Sequence, residues 1–226
     1  MSVQPEDFDW WWGGWKDLFT CGNCWGLIGK TSVCPICGTD YRNPAPLEII
    51  IDGKLHVMPQ AFAGALGWSH YVMLQLMHRE WRRPLLDDVD PSSVPPGHKP
   101  SPRVLVVLLF WTFFETMMGR FYETATAGLP GSVGSDLLKR YNSIGSRLDR
   151  LHRILFATTY AKDLDQLGHE AVRKHLENVQ EQRNAFMHGN PEAISDGLVE
   201  ETVKMMPAFR EAWTQAFNLR CAKRTN

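Results

Sequence analysis

The sequence has no long hydrophobic run and no excess of either charge. Its longest predominantly apolar stretch, Val104 to Phe114, is shorter than the roughly 20 residues that a membrane-spanning helix needs. Among 226 residues, 24 lysines and arginines nearly balance 25 aspartates and glutamates, which excludes a uniformly basic nucleic-acid coat but permits a local basic face. The first residues lack the basic-then-apolar pattern of a secretory signal. We therefore expect a soluble, cytoplasmic protein without a membrane partner.

Several catalytic motifs are also missing from the sequence. It contains no Walker loop, no GxGxxG segment after a strand and no GxSxG nucleophile elbow. His169 and His175 lie six positions apart rather than four, which excludes the HExxH motif of zinc proteases. The composition, with 44% hydrophobic and 22% charged residues, is nevertheless that of an ordinary globular protein.

Four of the five cysteines form two closely spaced pairs, Cys21 with Cys24 and Cys34 with Cys37. Two CxxC pairs can direct four thiolates at one ion, and a closed set of four cysteines is typical of structural Zn²⁺. Disulfides are less favoured because no secretory signal is visible, and redox catalysis because neither pair begins a helix within a βαβ unit. We therefore predict a zinc ribbon that holds one structural Zn²⁺ per chain.

The other N-terminal residues fit a small module over residues 1–59. Leu47 to Ile51 and Lys54 to Met58 are β-rich runs joined by Asp52-Gly53, which predicts a β-hairpin. The module also contains four of the nine tryptophans, Trp10, Trp11, Trp12 and Trp15. Aromatic residues this dense cover either a core or a partner surface, and we favour packing against a core.

From residue 60 to residue 226 the apolar residues recur with a helical period, which predicts a mainly α domain. We expect five helices, at about Ala61–Arg83, Arg103–Thr126, Gly134–Thr159, Lys162–His188 and Ser195–Arg220. A proline-rich loop over residues 85–102 separates the first two helices.

The third predicted helix carries an apolar seam flanked by arginines. The seam consists of Leu137, Tyr141, Ile144, Leu148, Leu151 and Leu155. Its spacing favours contact with a neighbouring helix of a bundle. Arg140, Arg147 and Arg150 run beside it and are either solvated side chains or contacts to an RNA backbone.

Two other helices carry a charge where their apolar stripe predicts a hydrophobic residue. Glu115 interrupts the stripe of the second helix, and Arg183 interrupts that of the fourth. A buried charge is costly unless it is paired, so we expect Glu115 and Arg183 to contact each other. There are two alternatives to a functional pair. The two residues form a purely structural ion pair, or their charged groups reach solvent at the edges of the helices.

The residues after Arg183 extend this candidate site. Asn184 and His188 are four positions apart and share a helical face, and Gly189 is a suitable residue for the helix end. The negative end of the helix dipole favours a protonated imidazole at that position. A fixed cation, an amide and a titratable imidazole are the minimal equipment for metal-free RNA cleavage, which requires proton transfer and stabilisation of charge on the phosphate.

The segment Arg183-Asn184-Ala185-Phe186-Met187-His188 resembles the R-x4-6-H motif of HEPN domains, including the polar residue that commonly follows the arginine. The resemblance covers roughly residues 61–220. It implies a helical bundle that forms a homodimer, and a metal-independent endoribonuclease of toxin–antitoxin or antiviral defence systems. It also implies that Arg183 holds the scissile phosphate with support from Asn184, that His188 transfers a proton, and that Glu115 orients Arg183. Attack by the ribose 2′-OH would leave a cyclic phosphate.

The sequence leaves two functions open, because some HEPN-like proteins bind without cutting. The first is the nuclease, with RNA as substrate and an antitoxin or other protein as regulator. The second is a non-catalytic RNA- or protein-binding and dimerisation module in which the zinc ribbon recognises the partner. A nuclease needs His188 exposed beside Arg183 in a basic cleft, whereas a scaffold needs His188 buried as a helix cap.

Overall fold

The computed structural model describes residues 14–15, 17–29, 31–42, 47–51, 53–58, 63–84 and 101–222, and this part of the chain is mainly helical. Residues 47–51, 56–58 and 63–64 are described by their backbone. Three sequence-based predictions lie outside the described residues. These are the positions of Trp10–Trp12, the proline-rich loop up to residue 100, and the module boundary at residue 59.

The strands form two small antiparallel sheets. They are β1 (Phe19–Thr20), β2 (Leu27–Ile28), β3 (Leu47–Ile51), β4 (Lys54–Met58) and β5 (Ala63–Gly64). The predicted hairpin is confirmed, because β3 pairs with β4 over its full length and Gly53 has the positive φ of +74° that the tight connection requires. In the other sheet the order is β2-β1-β5, and the loop with Cys21 and Cys24 joins β1 to β2. The loop with Cys34 and Cys37 is closed by a bridge between Val33 and Asp40.

Eight helical segments follow the strands in the described residues. They are α1 (Trp68–Arg82), α2 (Val104–Thr126), α3 (Val133–Arg140), α4 (Ile144–Ser146), α5 (His152–Phe156), α6 (Tyr160–Gln166), α7 (Glu170–Met187) and α8 (Asp196–Cys221). A π turn (Arg147–Leu151) joins α4 to α5, and a short 3₁₀ turn (Pro191–Ala193) precedes α8. The predicted second and fifth helices are confirmed as α2 and α8.

The other three predicted helices are wrong in their extent. The first begins at Trp68 rather than Ala61, because Ala63 and Gly64 pair with β1. The third is interrupted after Arg140, where Ser143 caps a new helix by accepting a hydrogen bond from the Ser146 amide. The fourth is interrupted at Gly168, whose φ of +80° ends α6 before α7 begins.

The core is built around α2, which is apolar on most of its circumference. Eleven of its residues are buried, including Phe110, Phe113, Phe114 and Phe121. By length and composition α2 is the one described helix that is suited to crossing a membrane, but α1, α7 and α8 pack around it. That arrangement is typical of the core helix of a soluble protein.

The N-terminal strands pack directly on the helical core. Trp15 is fully buried, with its ring 5.0 Å from that of Phe113, which confirms the packing prediction for this tryptophan. Asn218 of α8 bonds both backbone groups of Leu27 in β2, at 2.6 and 2.8 Å. Arg120 of α2 donates to the hydroxyl of Thr20 in β1. Trp15, Leu18 and Leu27 therefore belong to the hydrophobic core of the helices, while the cysteines form a second buried cluster with Ile28.

A buried polar network connects α2, α5, α6 and α8. His152 Nδ1 lies 2.9 Å from the Tyr122 hydroxyl, and His152 Nε2 lies 2.8 Å from the Asp163 carboxylate. Arg220 donates to both oxygens of Asp163. Burial alone would raise the pKa of Asp163, but the hydrogen bonds from Arg220 and His152 outweigh it and lower the pKa. The ionised Asp163 therefore accepts from His152 Nε2–H, and Nδ1 accepts from Tyr122.

Burial keeps three histidines neutral in the folded protein. His70, His152 and His175 are each at most 7% exposed, and burial lowers the pKa of all three. The Asp163 carboxylate beside His152 and the Glu201 carboxylate 3.5 Å from His175 oppose this effect without reversing it. The unfolded chain therefore binds more protons than the folded chain at a pH below about 6.5.

We predict that the free energy of unfolding falls when the pH is lowered from 7.5 to 5.5. The loss begins near the unfolded histidine pKa of about 6.5 and approaches about 1.4 kcal/mol per pH unit for each buried histidine. Urea unfolding at several pH values measures the slope. The three buried histidines together contribute to the change of the free energy of unfolding with pH. In a folded His70→Gln variant, that contribution should be smaller by about one third. An identical slope in variant and wild type would contradict this assignment for His70.

Candidate functional site

The four N-terminal cysteines converge on one point. Their sulfur atoms all lie within 4.8 Å of one another, with Cys21 and Cys37 3.7 Å apart and Cys24 and Cys34 3.8 Å apart. Four ligands at the Zn–S bond length of about 2.3 Å in a tetrahedron are separated by about 3.8 Å. The predicted cysteine cluster is thus present, with a geometry compatible with a four-coordinate metal ion.

Polar groups around the cluster stabilise negatively charged sulfur. The Tyr41 hydroxyl lies 2.8 Å from Cys21 Sγ, and the Thr39 hydroxyl lies 3.1 Å from Cys37 Sγ. Burial by itself would raise the pKa of Cys37, but hydrogen bonds from Thr39 outweigh it and lower the pKa to about 6. Burial raises the pKa of Cys24 and Cys34. A cation is therefore needed before all four sulfurs can be thiolates at neutral pH.

The second candidate site is the end of α7, where the chain turns sharply. The amide of Gly189 donates to the Phe186 carbonyl and that of Asn190 to the Ala185 carbonyl, each at 3.0 Å. These two bonds form a Schellman motif, and Gly189 has the positive φ of +95° that the motif requires. The turn fixes the backbone of His188, the last residue before Gly189, at the end of the helix.

The side chains of the Arg-Asn-x-x-x-His segment lie at the surface. Asn184 and His188 are exposed, and Arg183 is partly exposed. Arg183 Nη1 donates to Asn184 Oδ1 at 3.1 Å, so the cation and the amide are in contact. The exposed position of His188 meets one requirement of a catalytic imidazole, whereas a buried cap would not.

The predicted contact between Glu115 and Arg183 is wrong within one chain. Glu115 instead accepts a hydrogen bond from the Trp111 indole nitrogen at 2.7 Å. Among the ion pairs of the described residues, none joins Glu115 to Arg183. Glu115 is therefore the hydrogen-bond acceptor of a buried indole N–H and does not pair with the guanidinium of Arg183.

The directions of the helices explain this error. Ser101, just before α2, bonds Asp196 at the start of α8, and Cys221 at the end of α8 bonds the Phe121 carbonyl. These contacts make α2 and α8 parallel, and the short connection after α7 makes α7 antiparallel to both. Since His175 of α7 packs on Phe110, Arg183 lies about 20 Å from Glu115 along the helix axes.

The three arginines beside the apolar seam do not form a common ridge. Arg140 and Arg150 are exposed, and the guanidinium of Arg140 lies over the Tyr141 ring. Arg147 is partly buried and donates to the Tyr141 carbonyl at 2.8 Å, across the break between α3 and α4. This contact gives Arg147 a structural role, while contacts of Arg140 and Arg150 to RNA stay predictions.

The groove between α7 and α8 is lined by none of the three motif side chains. Its volume is about 490 Å³, and it lies between the last turns of α7 and the first turns of α8. Its charged wall residues are Glu192 and Glu201, and the rest of its wall includes the amides Asn178, Gln182 and Asn190. The basic cleft that a nuclease requires is therefore not supplied by this groove of a single chain.

Sequence reasoning missed the polar network of Tyr122, His152, Asp163 and Arg220. Each of these residues lies on a different helix, and the spacing within any one helix gives no sign of the others. A local signal was available at His152, which lies four positions after Leu148 and four before Phe156, so that a helix burying both would also bury the imidazole. Comparisons with protein-family models, curated proteins and solved structures gave no match to this chain.

We predict that Gly189→Ala destabilises the protein by about 1–2 kcal/mol, because a residue with a Cβ is strained at this positive φ. Urea unfolding measures the loss. Gly128→Ala is the matched control, since a Cβ at Gly128 would have no neighbour within 4 Å and no positive φ constrains it. Equal effects of the two substitutions would contradict the role given to the Schellman turn.

We predict that the cysteine cluster binds a metal ion in the purified protein, and that removal of this ion destabilises the helices as well as the N-terminal strands. Because Leu27 is bonded to α8 and Trp15 lies in the helical core, loss of the ribbon should lower the midpoint of thermal unfolding by about 10 °C or more. Circular dichroism of the helical signal measures this change. The Cys34→Ser variant should show the lower midpoint of thermal unfolding even without chelator, and added chelator should change that midpoint little. A metal-free wild type with an unchanged midpoint would contradict the prediction.

Proposed function

We propose that this protein is a metal-independent endoribonuclease of the HEPN type, which acts as a homodimer. The observation that carries the proposal is the exposed set of Arg183, Asn184 and His188 at the end of α7, with the arginine and the amide in contact. The Schellman turn supports it, because a rigid helix end holds His188 at a defined position. By the resemblance of the motif, the biological setting is a toxin–antitoxin or antiviral defence system.

In the proposed reaction the ribose 2′-OH attacks the adjacent phosphorus. His188 takes the proton of the 2′-OH, the bond from phosphorus to the 5′-oxygen breaks, and a proton is delivered to that leaving oxygen. Arg183 stabilises the charge that builds up on the phosphate, and Asn184 orients the guanidinium. The products are a 2′,3′-cyclic phosphate and a free 5′-hydroxyl. Glu115 takes no part in one chain, because it is bonded to Trp111.

The homodimer is part of the proposal because a single chain lacks some of the groups that the reaction needs. In one chain the motif supplies one fixed cation, Arg183, and one imidazole, His188. A second copy of the motif would add a second arginine and a second imidazole, which allows one histidine to accept a proton while the other donates one. An antitoxin or other regulatory protein would act by covering this composite cleft.

We propose Zn²⁺ as the ion of the cysteine cluster and give it a structural role. Four cysteine sulfurs leave no open coordination position for substrate, and the sulfur separations fit the tetrahedral Zn–S geometry. The proposed cleavage of RNA uses no metal ion, so the Zn²⁺ of the cysteine cluster takes no part in it. Reduced thiols also favour the cytoplasm as compartment.

A second function, the non-catalytic binding module, is favoured by one specific observation. The groove between α7 and α8, which none of the motif side chains lines, is acidic and amide-rich, and this suits a protein partner better than an RNA backbone. In that function His188 and Arg183 would contact the partner, and the ribbon would contribute recognition. The two functions differ in whether phosphodiester bonds are broken.

We predict that the purified protein cleaves mixed cellular RNA without added divalent metal, and that His188→Ala lowers the rate by about 100-fold or more. Gel analysis of the RNA and chemical identification of cyclic phosphate ends measure the outcome. Glu181→Ala is the matched control, because Glu181 is exposed on the same helix and lies outside the motif. Chelator is kept low so that the cysteine cluster retains its ion.

Three results would count against the nuclease. A folded dimeric wild type that leaves RNA intact would favour the binding module, as would equal cleavage by wild type and His188→Ala. Cleavage that leaves 3′-hydroxyl ends would contradict the 2′-OH mechanism. Salt-sensitive RNA binding without cleavage would identify RNA as the partner of a non-catalytic module.

A further inference from the structure

Two side-chain hydroxyl groups reach the cysteine cluster, one at a sulfur of each CxxC pair. The Tyr41 hydroxyl lies 2.8 Å from Cys21 Sγ, and the Thr39 hydroxyl lies 3.1 Å from Cys37 Sγ. A cysteine that binds a metal ion is a thiolate and has no proton to donate, so in the metal-bound protein both hydroxyls are the donors. Two of the four ligand sulfurs are therefore hydrogen-bonded by hydroxyl protons.

The first CxxC loop, residues 21–24, orients both hydroxyls. The Gly22 amide donates to the Tyr41 hydroxyl oxygen at 2.9 Å, and the side-chain amide of Asn23 donates to the Thr39 hydroxyl oxygen at 3.0 Å. Each oxygen thus accepts a hydrogen bond from this loop and keeps its O–H for a sulfur. The same loop that supplies metal ligands therefore also points the two hydroxyl protons toward the cluster.

The backbone that follows the second CxxC pair brings both hydroxyls to the same side. Asp40 pairs with Val33 in a β-bridge, and the Tyr41 amide donates to the Ser32 carbonyl at 2.7 Å. Side chains two positions apart in an extended segment lie on one face, and Thr39 and Tyr41 have this spacing. Backbone contacts therefore hold the two side chains at the cluster.

The other two sulfurs have a different environment. Cys24 and Cys34 are buried, and in the described part of the chain no side-chain hydroxyl bonds either of them. Four thiolates around one divalent cation leave an excess of negative charge, and burial makes uncompensated charge costly. Hydroxyl protons at Cys21 and Cys37 offset part of this charge, because hydrogen bonds to an ionised acceptor are stronger than those between neutral groups.

We propose that Tyr41 and Thr39 are positioning residues of the metal site, whose hydroxyl protons offset the negative charge of the Cys21 and Cys37 sulfurs and thereby strengthen binding of the ion. They act on the ion through these sulfurs. Hydrogen-bond partners of metal ligands commonly change metal affinity by about 10–100-fold. The inference rests on the proposed Zn²⁺ site and does not depend on the proposed nuclease.

The first test measures the affinity of the full-length protein for Zn²⁺ by competition with a chromophoric chelator. Tyr41→Phe and Thr39→Val each remove a hydroxyl and keep the shape of the side chain, and each should weaken binding by about tenfold or more. Thr39→Ser keeps the hydroxyl and should bind within about threefold of wild type. Tyr141→Phe, at the end of α3, is the control and should leave the affinity unchanged.

The absorption spectrum of the protein loaded with Co²⁺ separates an effect on sulfur charge from a purely structural role of the hydroxyls. Electron transfer from sulfur to Co²⁺ gives an absorption band, and a hydrogen bond to the sulfur raises the energy of this band because it stabilises the sulfur electrons. The band should therefore move to longer wavelength in Tyr41→Phe and Thr39→Val and stay in place in Thr39→Ser. Circular dichroism shows whether each loaded variant is folded.

The possible results distinguish this proposal from the metal site on which it rests. If wild type binds both ions but neither hydroxyl-free variant changes the affinity or the band, the proposal is overturned and the metal site stands. Weaker binding with an unchanged band would also overturn it, because the hydroxyls would then only hold the loop in place. A wild type that binds neither Zn²⁺ nor Co²⁺ would overturn the metal site and this proposal together.

Discussion

The apolar circumference of α2 is the constraint on which the rest of the structure depends. Its buried side chains contact different neighbours, with Phe113 against Trp15, Phe110 against His175 of α7, and Phe121 against α5 and α8. A helix with so much apolar surface is stable in water only when other elements cover it on most sides. The surrounding helices and the N-terminal strands are therefore joined by contacts with the same buried helix.

Hydrophobic burial has no direction, so polar contacts determine how the covering elements are oriented. The ionised Asp163 holds Arg220 and His152 together and thereby relates α5, α6 and α8. Asn218 does the same for the ribbon, because it occupies both the donor and the acceptor of the Leu27 backbone. Such contacts tolerate little displacement, since a buried group that loses its partner is left unsatisfied.

The candidate RNA site is built differently from the core. Arg183, Asn184 and His188 lie at the surface, and the core does not require them. What the fold provides is the rigid end of α7, where Gly189 closes the helix. Rigid scaffold beneath exposed polar residues is the usual arrangement of a site that binds a second molecule. The proposed reaction needs a second copy of the motif because one chain supplies one arginine and one imidazole there.

Local patterns in the sequence determined the hairpin, α2, α8 and the convergence of the four cysteines, because each depends on residues close together in the chain. The capping signals at Ser143 and Gly168 were also present, but the apolar period on either side of them favoured unbroken helices. The tertiary structure alone decided that Glu115 and Arg183 lie far apart, because the relative direction of α2 and α7 is set by the connections and by packing. It also brought Tyr122, His152, Asp163 and Arg220 together from four helices, since side chains on separate elements meet only when those elements pack against one another.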